Sequence, residues 1–387
     1  MDLEVGTEAG LSLVDRVAVG LLVQRFPVEL VDRVIDQFSR REQRVRQLPA
    51  RLMFYFVLVL CMFPQESYRS AMRILLHAFG RGADGRPVPT AGAIGTARRR
   101  LGADPVETIV RMVTRPTATR DARGAWYQEW RLVALDSTTF RIPGTSENND
   151  QFGGSGSGRG DGKGTFPGVR AACLTELGTH AVFDARIGSY RVSENKLVDE
   201  IVPALRPRML VLADRGLYSF QRWNRAGEQG ADLLWRVTST LVLCPREHLS
   251  DGSSIAEAIA PKNSGTSSFR LRVIEYLLPD AHSGKAELHR LVTTILDPVR
   301  APAKELAALY HEHWDGEGFF TQIKDAQLAA DLKFRSKSPD GVRQEFWGHL
   351  AVNYATSHVA MNAARQATAD PDRIAHKSAI RIIRSTV

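Results

Sequence analysis

Two short apolar runs, each closed by an aspartate, limit the fold of this chain more than any other feature. "RLVALD" ends on Asp136 and "RMLVLAD" on Asp214. An acid at the end of a buried strand costs free energy unless it is paired, hydrogen-bonded or metal-bound, so each is a candidate ligand at a strand's carboxyl end. Either one alone could equally cap the next turn. Between them lie two more strand-like runs, "VRAACLTEL" and "HAVFDARI", and a helical segment, "SENKLVDEIVPAL". Three adjacent strands, a crossover helix and another buried strand predict an α/β fold, a mixed sheet with helices packed on it. "FQRWNRAGEQG" then reads as helix and "ADLLWRVT" as strand.

The segments on either side have a different texture. Residues 11 to about 80 carry apolar residues at three and four spacing in "VDRVAVGLLVQRF", "ELVDRVIDQFSR" and "SYRSAMRILLHAF", which predicts a small helical domain. Within it "LMFYFVLVLCMF", Leu52 to Phe63, is twelve residues long and closed by Pro64, whereas a membrane helix needs about 20. It reads as a buried helix, and no membrane is expected. Thr90 is placed to cap a further helix, "AGAIGTARRRLG", which ends in Arg98, Arg99 and Arg100 and a glycine. A basic second helix of this kind suits DNA contact; arginines favouring their own helix end are the other reading. "FRLRVIEYLL" and "ELHRLVTTIL", between Gly/Ser-rich turns, predict a β-rich insertion over 240–298, and from Ala301 the chain reads as helix again.

At 387 residues, two or three domains are expected. The three cysteines are scattered, and the first ten residues carry acids where a secretory signal would carry Lys or Arg, so a cytoplasmic location is expected. Net charge is +8, distributed as +5 over 1–130, −1 over 131–330 and +4 over 331–387. Basic ends around a balanced middle suit a protein that grips a polyanion and holds carboxylates centrally. The glycine-rich stretch Gly153 to Thr165 is no phosphate loop: with Lys163 fixed, Ser157 and Gly164 stand where a glycine and a hydroxyl residue are required. It reads as a hairpin loop.

The stretch "YHEHWDGEGFFTQIK" from Tyr310 raises the question of a metal site. The zinc-protease spacing is not met, because His313 follows Glu312 directly. On a helix Tyr310, His313, Glu317 and Lys324 share one face, with Glu317 its only acid, while His311 and Asp315 lie on another. Gly316 and Gly318 flank Glu317 at a helix cost of roughly 1 kcal/mol each, which a close approach by backbone or ligand explains. Asp136, Asp214 and Glu317 together suit two divalent metals and phosphodiester chemistry.

On these residues the chain resembles the insertion-sequence-four family of DDE transposases. The family marker Y-x2-R-x3-E-x6-K is matched in spacing by Tyr310, His313 in place of Arg, Glu317 and Lys324; "ALDST" and "LADRGLYS" resemble the segments of the first two acids. The resemblance implies an RNase H-like catalytic core, with Asp136, Asp214 and Glu317 as catalytic metal ligands for two Mg²⁺, replaceable by Mn²⁺. It implies cleavage and strand transfer at the terminal inverted repeats of the protein's own element, with double-stranded DNA as partner, a homodimer in the synaptic complex, and a bacterial, nucleoid-associated location. Tyr310, His313 and Lys324, with Arg98, Arg99 and Arg100, would contact DNA, His313 more weakly than the arginine it replaces. Expected boundaries are 1–125 for the helical DNA-binding domain, 126–239 for the first part of the core, 240–298 for the insertion, and 299–387 for the helix of the third acid with the C-terminal helices. A DNA-binding relic with weakened catalysis is the alternative that the His313 replacement leaves open.

Overall fold

The computed structural model describes residues 18–44, 46–80, 87–154, 166–260, 267–279, 286–314 and 334–367. Residues 18–25 are helical (α1), followed by α2 (Val28–Gln37), α3 (Ala50–Met62), α4 (Tyr68–Ala78), α5 (Ala91–Leu101) and α6 (Asp104–Val113). α3 is the apolar run, and every residue in it except Arg51 is buried. A helix without a polar face must be surrounded, and α2, α4, α5 and the long last helix α11 (Pro339–Gln366) pack around it. Thr90 caps α5 by accepting from the Ala93 amide at 3.2 Å. Gly102 ends it at φ +74°, a conformation glycine adopts without Cβ strain, as the sequence predicts.

The strands form one ten-stranded sheet: β1 (Trp126–Tyr127), β2 (Trp130–Arg141), β3 (Gly168–Glu176), β4 (Ala181–Ser189), β5 (Met209–Ala213), β6 (Asp232–Val237), β7 (Cys244–His248), β8 (Ser254–Ala258), β9 (Phe269–Pro279) and β10 (Ala286–Thr293). The order is β4-β3-β2-β5-β6-β10-β9-β8-β7, with β1 beside β2. β2, β3 and β4 run antiparallel, while β5 and β6 run parallel to β2. Parallel neighbours need a crossover, and α8 (Glu194–Ile201) and α9 (Phe220–Glu228) supply it before β5 and before β6. The result is an RNase H-like mixed sheet, which β7 to β10 extend beyond β6 without a break.

Both faces are covered. Val133, Leu135, Val211 and Ala213 face α8 and α9. Leu132, Ala134, Leu210 and Leu212 face α10 (Ala303–Trp314), which contributes Leu306, Leu309 and Tyr310. Farther along that second face, Phe140, Val169, Ala171 and Cys173 join the core built by α3 and α11. Gly348 marks the close crossing of those two helices, since a Cβ there would lie 2.6 Å from the Cys61 sulfur. One element was not legible in advance: α7 (Ser146–Phe152), a seven-residue helix capped by Thr145. Its "SENNDQF" is too polar to show helical periodicity. Among the described residues no helix is long and apolar enough to cross a membrane.

Candidate active site

Asp136 follows Leu135 on β2, and Asp214 follows Ala213 at the end of β5. Leu135 and Ala213 are register partners in the parallel pair, so the two acids occupy adjacent positions on neighbouring strands, about 4.8 Å apart in the pairing direction. Side chains alternate along a strand, and Ala134 and Leu212 face α10. Asp136 and Asp214, two positions farther on, therefore continue that face, at the point where the α10 core gives way to the α3 and α11 core. Both are half-buried.

Asp214 ends its strand as the sequence predicts, but Asp136 does not: β2 runs on to Arg141, held by its antiparallel pairing with β3, and only the pairing with β5 stops at Leu135. The Ser137 amide donates to Asp136 Oδ1 at 2.7 Å. The Leu217 amide donates to the Asp214 carbonyl at 3.0 Å, which closes the turn after β5 and leaves the carboxylate outside that bond. Cys173 is the direct partner of Asp136 across β3. Burial pushes its thiol well above the usual range, and the negative charge of Asp136 adds to the shift.

α10 reaches this point through Tyr310, whose hydroxyl donates to the carbonyl of Ala213 at 3.3 Å. Tyr310 is 1% exposed. Its ring lies inside the core, and its hydroxyl supports the strand end that precedes Asp214. His313 falls in the last turn of α10; its side chain, together with Glu317 and Lys324, lies outside the described residues. His311, from the same His-rich stretch, packs its ring against Tyr276 (5.2 Å) and His289 (5.5 Å). Among the described residues no group of three or more His, Cys, Asp or Glu side chains could hold a metal. The donors on this face are two carboxylates, hard oxygen ligands of the kind divalent cations such as Mg²⁺ and Mn²⁺ take.

The three arginines of α5 separate in the structure. Arg98 is 4% exposed and donates to Gln344 Oε1 (2.6 Å), the Tyr68 hydroxyl (2.5 Å) and the Gly341 carbonyl (2.7 Å). These bonds tie α5 to α4 and to the start of α11. Arg100 reaches the Leu48 carbonyl at 2.8 Å and lies 3.6 Å from Glu42. Arg99 is exposed and lines a cleft of about 700 Å³ with Tyr68, Arg335 and Lys337. A second basic hollow of about 390 Å³ is lined by Arg40, Arg41, Arg44, Arg46 and Arg100.

Glu194, at the start of α8, also reaches the strand of Asp136. Its carboxylate accepts a short hydrogen bond from the Ser137 hydroxyl, one residue from Asp136. Glu194 follows the capping Ser193, a visible helix start, but nothing local tells that this helix end meets β2.

Comparison with known proteins places these features. Residues 16–111 match the family described as insertion element 4 transposase N-terminal, and residues 128–354 match the transposase DDE domain. The Escherichia coli (strain K12) transposase InsG for insertion sequence element IS4 is 27% identical over 334 residues, 83% of this chain and 72% of its own length. The putative transposase InsZ of the same strain is 24% identical over 216 residues, 56% of this chain and 70% of InsZ. Among solved structures, the piggyBac transposase synaptic complex with hairpin DNA aligns over 95% of this chain and 79% of that one, with a TM-score of 0.48 and 11% identity.

Proposed function

Since the chain belongs to the IS4 family of DDE transposases, enzymes that act on DNA with divalent metal ions, we propose that it cuts at the terminal inverted repeats of its own element and joins the freed ends to target DNA. The observation that carries this reading is the side-by-side placement of Asp136 and Asp214 on one face of the sheet, where the parallel pairing of β2 and β5 ends. With Glu317 as third acid they would hold two Mg²⁺, or Mn²⁺ in its place. Bound there, the ions supply activation of the attacking oxygen and stabilisation of the leaving oxygen at the phosphodiester.

The chain's own residues do the rest. Asp136 and Asp214 would supply the oxygen donors, and the Ser137 amide fixes the orientation of one of them. Tyr310 holds the peptide that precedes Asp214. Lys324 and His313 would meet DNA phosphates near the cut, His313 with less charge at neutral pH than an arginine. Arg99, together with the exposed Arg44 and Arg46, would neutralise phosphates farther along the duplex. Two element ends require two active sites, so a homodimer is the working form in the synaptic complex, acting on nucleoid DNA in the bacterial cytoplasm.

The test is strand cleavage of a plasmid carrying the gene with its native flanks, in Mg²⁺ or Mn²⁺, for wild type, Glu317→Gln and Asp315→Asn. Cutting at the flanks that is lost with Glu317→Gln and kept with Asp315→Asn is the expected result. Wild type that binds the flanks yet cuts under neither metal would make the chain a binding relic, the alternative that His313 in the arginine position leaves open.

A further inference from the structure

The insertion packs along α10 through Tyr276 and His289, and it holds the start of that helix through a buried ion pair. Arg272, on β9, is fully buried. Its Nε donates to the Ser253 hydroxyl at 2.8 Å and one terminal nitrogen to the Ala301 carbonyl at 2.7 Å; the other makes a short ion pair with Asp251. Asp251, in the turn before β8, also accepts from the Ala303 amide at 2.8 Å, the first amide of α10. An orphan helix N–H is thus capped by a residue 52 positions away in sequence. Burial by itself pushes the Asp251 carboxyl up, but bonds from Ser253 and Ala303 and the charge of Arg272 outweigh it and hold the group below its usual value. On the other side of the same helix end, the Tyr127 hydroxyl donates to Glu305 Oε2 at 2.8 Å.

Two helical turns on from Ala303, about 10 Å along the axis, Tyr310 donates to the Ala213 carbonyl. α10 is therefore a strut. One end is set by the insertion and the other bears on the peptide before Asp214. We propose that Asp251 and Arg272 are positioning residues: they fix the axial placement of α10, and through Tyr310 they fix Asp214 relative to Asp136. This rests on the reading of Asp214 as a metal ligand, and it gives the insertion a part in catalysis through its body, whatever its outer surface binds. Loss of the Asp251 bonds leaves the Tyr127 to Glu305 attachment, about which the helix can shift without leaving the core.

The test uses the full chain with Asp251→Asn, which is isosteric but uncharged, and Arg272→Lys, which keeps the charge but cannot span Asp251 and the Ala301 carbonyl. Amide hydrogen exchange is read by mass spectrometry at 303–310 and at 213–217, alongside affinity for element-end DNA and the Mg²⁺ dependence of cleavage. Both variants are expected to exchange faster at both segments together. They should bind end DNA as wild type does and need about tenfold more Mg²⁺ for half-maximal cleavage, the scale seen when residues behind a metal ligand are lost. Faster exchange confined to 251–253 and 303–305, with the Mg²⁺ dependence unchanged, would overturn the proposal and leave the pair a local brace. If Asp251→Asn does not fold, Arg272→Lys alone decides between those two outcomes. Asp214→Asn separates this from the reading beneath it: wild-type cleavage by that variant would refute Asp214 as ligand, while the exchange coupling would still report on the strut.

Discussion

Arg98 and Arg99 are consecutive residues on one helix with opposite surroundings. Arg98→Ala leaves the Gln344 side chain and the Gly341 carbonyl without their partner in a buried place, and a loss of about 3 kcal/mol in denaturant unfolding is expected. Arg99→Ala should change stability by less than about 0.5 kcal/mol, because the side chain is exposed. The sequence shows three basic residues in a row; which of them turns inward depends on the phase of α5 against α11, more than 200 residues downstream. Titration gives a second check at this scale. Burial, reinforced by Arg236, holds His289 below the ordinary histidine value, and burial does the same to His358. As pH falls below about 6.5 the unfolded chain takes up protons that these folded histidines resist, so stability is fully present above that pH and declines below it. His289→Gln should flatten the decline measured by chemical denaturation between about pH 7.5 and pH 5.5.

Among the elements, those built on a continuous apolar run were legible in the sequence, and those built on partners were not. β2 and β5 announce themselves because strands buried on both faces read as unbroken apolar residues, and α3 does so because no polar stripe interrupts it. α7 has no such pattern and stands on its Thr145 cap and on contacts with the start of α11. The Asp136 and Asp214 candidates were likewise visible one at a time. Their adjacency was not, since it depends on the register between strands separated by more than 60 residues of chain. The α3 and α11 crossing offers a test of packing: Gly348→Ala puts a methyl group against the Cys61 sulfur and Val57 and should cost about 1–3 kcal/mol of stability. A matching double variant, Cys61→Ala with Gly348→Ala, should recover part of that loss if the clash is its cause.

At the scale of the whole molecule, the first described helices pack with α11 against the sheet, and β7 to β10 extend that sheet beyond β6. α11 completes the helical layer begun by α1 to α6, so removal of residues 339–387 should expose α3 and abolish soluble folding, not merely trim a tail. The acids lie where the core of that layer gives way to the core of α10. Binding of DNA by the basic surfaces should weaken steeply with salt, and Arg44→Ala with Arg46→Ala should lower the salt slope while leaving single-turnover cleavage of bound ends intact. The measurement that bears most directly on the account is single-turnover cleavage of a labelled element end by wild type, Asp136→Asn and Asp214→Asn, with end affinity measured in parallel. Each variant is predicted to lose about 10³-fold or more in rate while binding the end within about twofold of wild type, because each removes a charged ligand and leaves the fold intact. Wild-type cleavage by either variant would contradict the assignment of these two neighbouring aspartates as the catalytic pair.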